Sequence, residues 1–482
     1  MTAPAMTLAP VLINGTGAGA TPGTTLDAEL LSRASRQDYQ QWLASVAPAG
    51  GCVRPVQLRG RMHDVSTATG EILSTLDTAT LPDRVIYTAC GDRRASVCPP
   101  CAETYRRDTY QLVRAGLAGG KGVPESVAIH PAVFATFTAP SFGPVHTRPM
   151  GKGGKVARCR PRRTASYCPH GRRPSCGQRH KDTDACLGKP LCPGCYDYQA
   201  AVVWNAHAPE LWRRTTIAIR RRLDRLFRDS GIRVRLSYAK VAEFQARGLV
   251  HFHAIFRLDG DDPARVTRPA HVTATQLAGI IRQAAGATRF ATVAHPACPR
   301  GWDITWGAQL DTRIVKVTEA GELTDTRVAS YLAKYATKTT EAVGTLPARI
   351  SDGNLKIYGS PHTHPGRLIA AAWRLGNHPH ADFQALRRWA HMLGYRGHFS
   401  TKSRRYSTTL KALRSARADW RRRQHHTGDQ LPMTAAATVA VAASLAYAGR
   451  GWRTTGDAVL ALSAAARARE YHQISREETR MR

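Results

Sequence analysis

Glu243-Phe-Gln-Ala-Arg-Gly-Leu-Val-His-Phe-His253-Ala-Ile-Phe256 decides how the middle of this chain is read. Residues 232–244 and 249–258 have the β-branched and aromatic content of two strands, and Gln245-Ala-Arg-Gly248 between them reads as a hairpin turn. Side chains alternate along a strand, so His251 and His253 share one face while Phe252 and Ala254 take the other. A hairpin centred on Arg247 places Glu243 directly across from His251. Two imidazoles and a carboxylate on one face make a three-ligand set for a divalent ion, with positions left for water and a phosphate oxygen.

Downstream, residues 328–340 read as a helix containing Tyr331-Leu-Ala-Lys-Tyr335-Ala-Thr-Lys338. Tyr331 and Tyr335 stack at i,i+4, and Lys334 and Lys338 do the same beside them. A phenol titrates near 10, so it needs help to act as a nucleophile at neutral pH. A nearby ammonium and a polarised phosphate supply that help. Upstream, 133–138 reads as a strand stopped by Pro140. Helices are expected at 198–229, 273–284, 383–393 and 407–424, with a short one within 27–46.

The chain has 482 residues, and 69 Lys and Arg against 35 Asp and Glu give it a formal charge of +34. A surplus of that size favours a polyanionic partner, because each neutralised phosphate releases counterions. The most apolar stretch, 434–448, is too short and alanine-rich to span a bilayer, so no membrane role is expected. The N-terminus lacks the charged start of a secretory signal, and the cytoplasm is the expected compartment. No phosphate-binding loop is present: 115–122 lacks both the first glycine and the hydroxyl, which argues against an ATPase of its own.

Eleven cysteines in such a chain point to metal rather than disulfides. Cys98-Pro-Pro-Cys101 and Cys192-Pro-Gly-Cys195 both have zinc-knuckle spacing. One expected Zn2+ site joins Cys168 and Cys176 to Cys192 and Cys195, with His170 able to replace either of the first two. Another uses Cys90, Cys98 and Cys101, its fourth ligand left open. Zinc there is structural, folding segments too polar to build a core. Cys52, Cys159 and Cys298 have no assignment. Arg396-Gly-His-Phe-Ser-Thr-Lys-Ser-Arg-Arg-Tyr406 reads as a DNA-binding loop: Lys402, Arg404 and Arg405 for phosphates, with His398, Phe399 and Tyr406 for stacking. Arg421, Arg422 and Arg423 extend it.

Together these motifs resemble the HUH endonucleases, named for His–hydrophobic–His. The order of strand, histidine pair and tyrosine helix is similar to replication initiators, whereas relaxases usually place the tyrosine first. Similarity extends to Cys192-Pro-Gly-Cys-Tyr-Asp-Tyr198 and Gly397-His-Phe-Ser-Thr-Lys-Ser-Arg-Arg405, as in rolling-circle initiators of actinomycete plasmids and integrative elements. The resemblance implies an α+β fold with an antiparallel, RRM- or ferredoxin-like nuclease core, an inserted zinc segment and a basic helical C-terminal region. The expected segments are a disordered tail at 1–30, read from its Ala, Thr, Gly and Pro content, a helical and zinc-binding region at 31–126, a nuclease domain at 127–345 with its Cys-rich insert at about 146–198, and a DNA-binding region at 346–482. The resemblance also implies Mg2+ or Mn2+ at His251, His253 and Glu243. Tyr335 is then the first nucleophile and Tyr331 the second, forming a 5′-phosphotyrosine and a 3′-hydroxyl at origin DNA. A host helicase and DNA polymerase are implied partners. The rival readings are a relaxase or transposase of the same class, and a non-enzymatic zinc-stabilised DNA-binding regulator.

Overall fold

The computed structural model describes residues 25–162, 166–230, 233–260, 269, 272–315, 324–337, 349–426 and 439–481. It is a mixed α+β structure with antiparallel sheets, divided into two compact units: residues 1–105 with 416–482, and residues 106–415. These units cut across the four segments expected from the sequence. No helix among the described residues is long and apolar enough to cross a membrane.

The first unit contains helices α1 (Leu26–Ala34) and α2 (Tyr39–Val46), then strands β1 (Val56–Ser66), β2 (Ile72–Asp77) and β3 (Ile86–Thr88). The chain leaves through α3 (Pro99–Ala118) and returns through α10 (Leu410–His426) to form β11 (Val439–Arg450) and α11 (Thr455–Met481). β11 runs antiparallel along the whole of β1, from Val56 opposite Arg450 to Ser66 opposite Val439. The C-terminal region expected to be helical therefore contributes a strand, because its partner is an edge nearly the whole chain away. Residues 26–30 are also not tail: Thr25 caps α1 by accepting from the Ala28 amide at 3.4 Å. The rest of that expected tail, 1–24, lies outside the described residues.

The second unit is built on strands β4 (Ala132–Phe137), β5 (Val234–Phe244), β6 (Val250–Gly260), β9 (Leu310–Ile314) and β10 (Ser400–Lys402). They form one antiparallel sheet in the order β10-β5-β6-β4-β9. Strands β7 (Arg289–Ala291) and β8 (Asp303–Thr305) pair separately. Helices α4 (Tyr198–Leu226), α5 (Ala274–Ala287), α6 (Thr324–Ala336), α7 (Asp352–Tyr358), α8 (His364–Leu375) and α9 (Ala381–Arg388) complete it.

Period-two alternation divides β6 between two environments. Phe252 and Phe256 are fully buried and meet Trp212 of α4, with ring centroids 5.8 and 5.6 Å apart. Each such side chain contributes about 1.5–3 kcal/mol of burial, which locks the register that sends His251 and His253 to the opposite face. Asn205 of α4 then pins the turn. Its amide donates to the Gly248 and Leu393 carbonyls, both at 2.9 Å, and its oxygen accepts from the Val250 amide at 3.1 Å. Gly248 takes the positive φ (77°) that the turn requires.

Candidate metal and tyrosine site

Glu243 of β5 is the register partner of His251, and Val241 that of His253. His251 Nε2 stands 3.1 Å from Glu243 Oε2 and 3.1 Å from His253 Nε2. His253 Nε2 lies 3.5 Å from the same carboxylate oxygen. Donors about 2.1 Å from one ion stand about 3.0–3.4 Å from each other in octahedral or tetrahedral arrangements, so these three atoms fit a single divalent cation. Thr136 of β4, the register partner of His253, holds its Nδ1 at 3.1 Å and leaves Nε2 facing the other two donors. The sequence alone gave no reason to single out Thr136; it belongs to the site through β4 pairing with β6.

Helix α6 brings both tyrosines to this face. The Tyr335 ring stacks on His253 at 5.2 Å, the Tyr331 ring meets it edge-on at 5.0 Å, and the two phenols lie 4.4 Å apart. Phe134 flanks Tyr331 and His253 at 5.8 and 5.9 Å. Burial pushes the Tyr331 phenol above its ordinary range, aided by its hydrogen bond with Tyr335 and the charge of Glu243, while Arg313 opposes the shift. Lys334 is exposed, and Lys338 lies outside the described residues.

Nine of the eleven cysteines fall into tetrads, some completed by histidines. Zinc–sulfur and zinc–nitrogen bonds of about 2.3 and 2.0–2.1 Å at tetrahedral angles separate S from S by about 3.8 Å and S from N by about 3.6 Å. In the first unit Cys52 supplies the open fourth position beside Cys90, Cys98 and Cys101, with Cys52–Cys98 and Cys90–Cys101 sulfurs 3.7 and 3.6 Å apart. Its spacing from the knuckle is too long to be read locally. In the second unit one tetrad is Cys168, His170, Cys192 and Cys195. Cys168 and Cys192 sulfurs are 3.6 Å apart, and His170 Nδ1 is 3.3 Å from Cys195. Gly194 makes this possible, since a Cβ there would lie 2.5 Å from the His170 ring. The sequence expectation for Cys176 is corrected: pairing of Arg160 with Cys176 carries it away to His146, Cys159 and His180. The tetrads of Cys52 and of Cys168 suit structural zinc.

The basic loop is also corrected. Tyr406 is fully buried; its hydroxyl donates to the Val113 carbonyl at 3.2 Å, and Arg257 lies 5.4 Å over its ring. Gly116 leaves the room this ring occupies. Phe399 is buried against Phe244 and Tyr395. Lys402 spends its ammonium on the carbonyls of Ser403, Arg404 and Ser407 at 3.4, 3.2 and 2.9 Å, tying the loop together. His398, Arg404 and Arg405 remain exposed. The side chains of Arg421, Arg422 and Arg423 lie outside the described residues.

The family model RepSA, described as replication initiator protein, pSAM2, matches residues 38–466. A replication initiator protein of Streptomyces ambofaciens is 44% identical over 473 residues, covering 95% of this chain and 98% of that protein. No solved structure matches. Agreement over that length places the chain in the RepSA family of replication initiator proteins, the pSAM2 type.

Proposed function

We propose that the chain initiates replication by binding origin DNA and cutting one strand by tyrosine transesterification, with the five-stranded sheet as an HUH-type core. The observation that carries this reading is the convergence of two phenols on a Glu–His–His donor set, both rings within 5.2 Å of the His253 ring. Glu243, His251 and His253 hold the divalent ion, Mg2+ or Mn2+; when bound, it supplies Lewis-acid polarisation of a phosphate oxygen. The mixed nitrogen and carboxylate set suits Mn2+ chemically.

Tyr335 Oη attacks the scissile phosphorus, the bond from phosphorus to the 3′-oxygen breaks, and the departing oxygen takes a proton to become a 3′-hydroxyl. The 5′-phosphate stays on the tyrosine. The proton of Tyr335 leaves to solvent, and Tyr331, hydrogen-bonded to Tyr335, takes the second cleavage. Thr136 orients His253, and the exposed Lys334 adds positive charge on the tyrosine helix. The liberated 3′-hydroxyl is a primer for the host polymerase, and strand separation falls to a host helicase.

The test is covalent trapping with a labelled single-stranded oligonucleotide from the element's own origin region and Mn2+. A label that migrates with the protein on a denaturing gel, and is lost on Tyr335→Phe and on chelation, is expected. Tight binding without an adduct under any divalent metal would overturn the nuclease reading in favour of a DNA-binding regulator.

A further inference from the structure

Between β4 and α4 the chain makes few regular elements, yet His146, Cys159, Cys176 and His180 converge with their donor atoms within 4.8 Å of one another. His146 Nδ1 lies 3.3 Å from His180 Nε2, and Cys176 Sγ lies 3.5 Å from the same nitrogen. For two thiolates and two imidazoles around one zinc, the expected separations are about 3.3 Å for N to N and about 3.6 Å for S to N. The surrounding shell also fits. Asp184 holds His180 Nδ1 at 3.0 Å, which points Nε2 at the other donors, and the Thr147 amide donates to Cys159 Sγ at 3.2 Å. Cys186 lies 3.4 Å from Nδ1, on the outer side of the ring, and so stands apart from this donor set.

What such an ion would organise is visible next to it. Thr147 and Arg148 follow His146 directly, and Arg160 follows Cys159 and bonds the Val145 carbonyl at 2.9 Å. All three line a cleft of about 530 Å3. Thr138, one residue past the register pair of Phe137 with Phe252, lines the same cleft, so the cleft starts where the histidine strand starts. Arg247 of the hairpin turn lines it too, held by the Ala139 and Pro140 carbonyls at 2.9 Å each.

We propose that His146, Cys159, Cys176 and His180 bind a zinc ion of their own, and that this ion holds an arginine-bearing cleft wall against a single DNA strand entering the His–Glu centre. The cleft half rests on the nuclease reading; the zinc half does not. Native mass spectrometry and metal analysis of the full chain test it. Cys159→Ser is expected to hold one zinc fewer than the wild type, a difference independent of what occupies the His–Glu centre. An unchanged count overturns the proposal. Should Cys159→Ser unfold and lose every zinc, Cys176→His decides: it keeps four ligands, so the wild-type count is expected, with weaker Co2+–thiolate charge-transfer absorption after cobalt exchange. Unchanged absorption overturns the site. Arg148→Ala is expected to keep the wild-type zinc count and weaken binding of a single-stranded oligonucleotide about threefold or more. Unchanged binding overturns the role of the cleft, and neither result depends on whether Tyr335 nicks.

Discussion

At the scale of single residues, the site depends on side chains that never touch the reacting atoms. Thr136→Val removes the oxygen on His253 Nδ1 while keeping shape, and Mn2+ affinity measured by calorimetry is expected to fall by about tenfold or more. Equal affinity would show that His253 is oriented by packing alone. On the same face of β6, Arg257 and Asp259 are fully buried as a pair at 2.7 and 3.0 Å, and Asp259 also takes hydrogen bonds from His130 at 2.9 Å and Ser237 at 2.6 Å. Burial disfavours its charge, but these bonds outweigh that and hold its carboxyl below the ordinary range. A carboxyl with a depressed folded-state value stabilises above its unfolded pKa, and that stability is lost as pH falls through the folded value. Wild-type stability to urea should therefore fall as pH drops from about 5 to about 3, and Asp259→Asn should flatten that fall. The substitution leaves the buried Arg257 without a countercharge, at a cost of about 3–5 kcal/mol at neutral pH.

At the scale of elements, the hairpin and helix α4 form one device. Asn205→Ala strips three backbone groups of their partner, each costing about 1–3 kcal/mol if buried unsatisfied. A melting temperature lower by several degrees is expected, with slackened amide-exchange protection at Val250 and His251. Protection equal to the wild type would mean that the register is set by Phe252 and Phe256 alone. The hairpin register was legible in the sequence because alternation and a glycine-bearing turn leave little freedom. The fate of Tyr406 was not: an aromatic in a basic loop looks available for stacking, and only the space at Gly116 turns it inward. Tyr406→Phe should thus cost only about 1 kcal/mol, the value of one hydrogen bond, and leave DNA binding unchanged.

At the scale of the whole molecule, the charge of +34 predicts binding that weakens with salt. Affinity for a non-origin oligonucleotide should drop by more than about tenfold between about 50 and about 200 mM monovalent salt. A flat response would move the recognition of DNA away from phosphate contacts. Segments far apart in sequence also meet within one unit. Arg33 joins Asp83 at 3.1 Å and Asp457 at 2.6 Å, and β11 lies along β1, a closure that no local pattern announces.

What the sequence determined by itself was the chemistry carried by local spacing: the histidine pair and its opposing glutamate, the paired tyrosines one helical turn apart, the two knuckles and the overall charge. The histidine pair, the tyrosine pair and the knuckles are set by spacings of two, four and three residues along one element, and the glutamate by the register of a short hairpin. Tertiary structure alone decided which distant donors join them. Cys52 reaches its knuckle, Thr136 reaches His253, and Cys176 leaves one tetrad for another, because strand pairing and loop closure between residues far apart in sequence depend on packing that no short window contains.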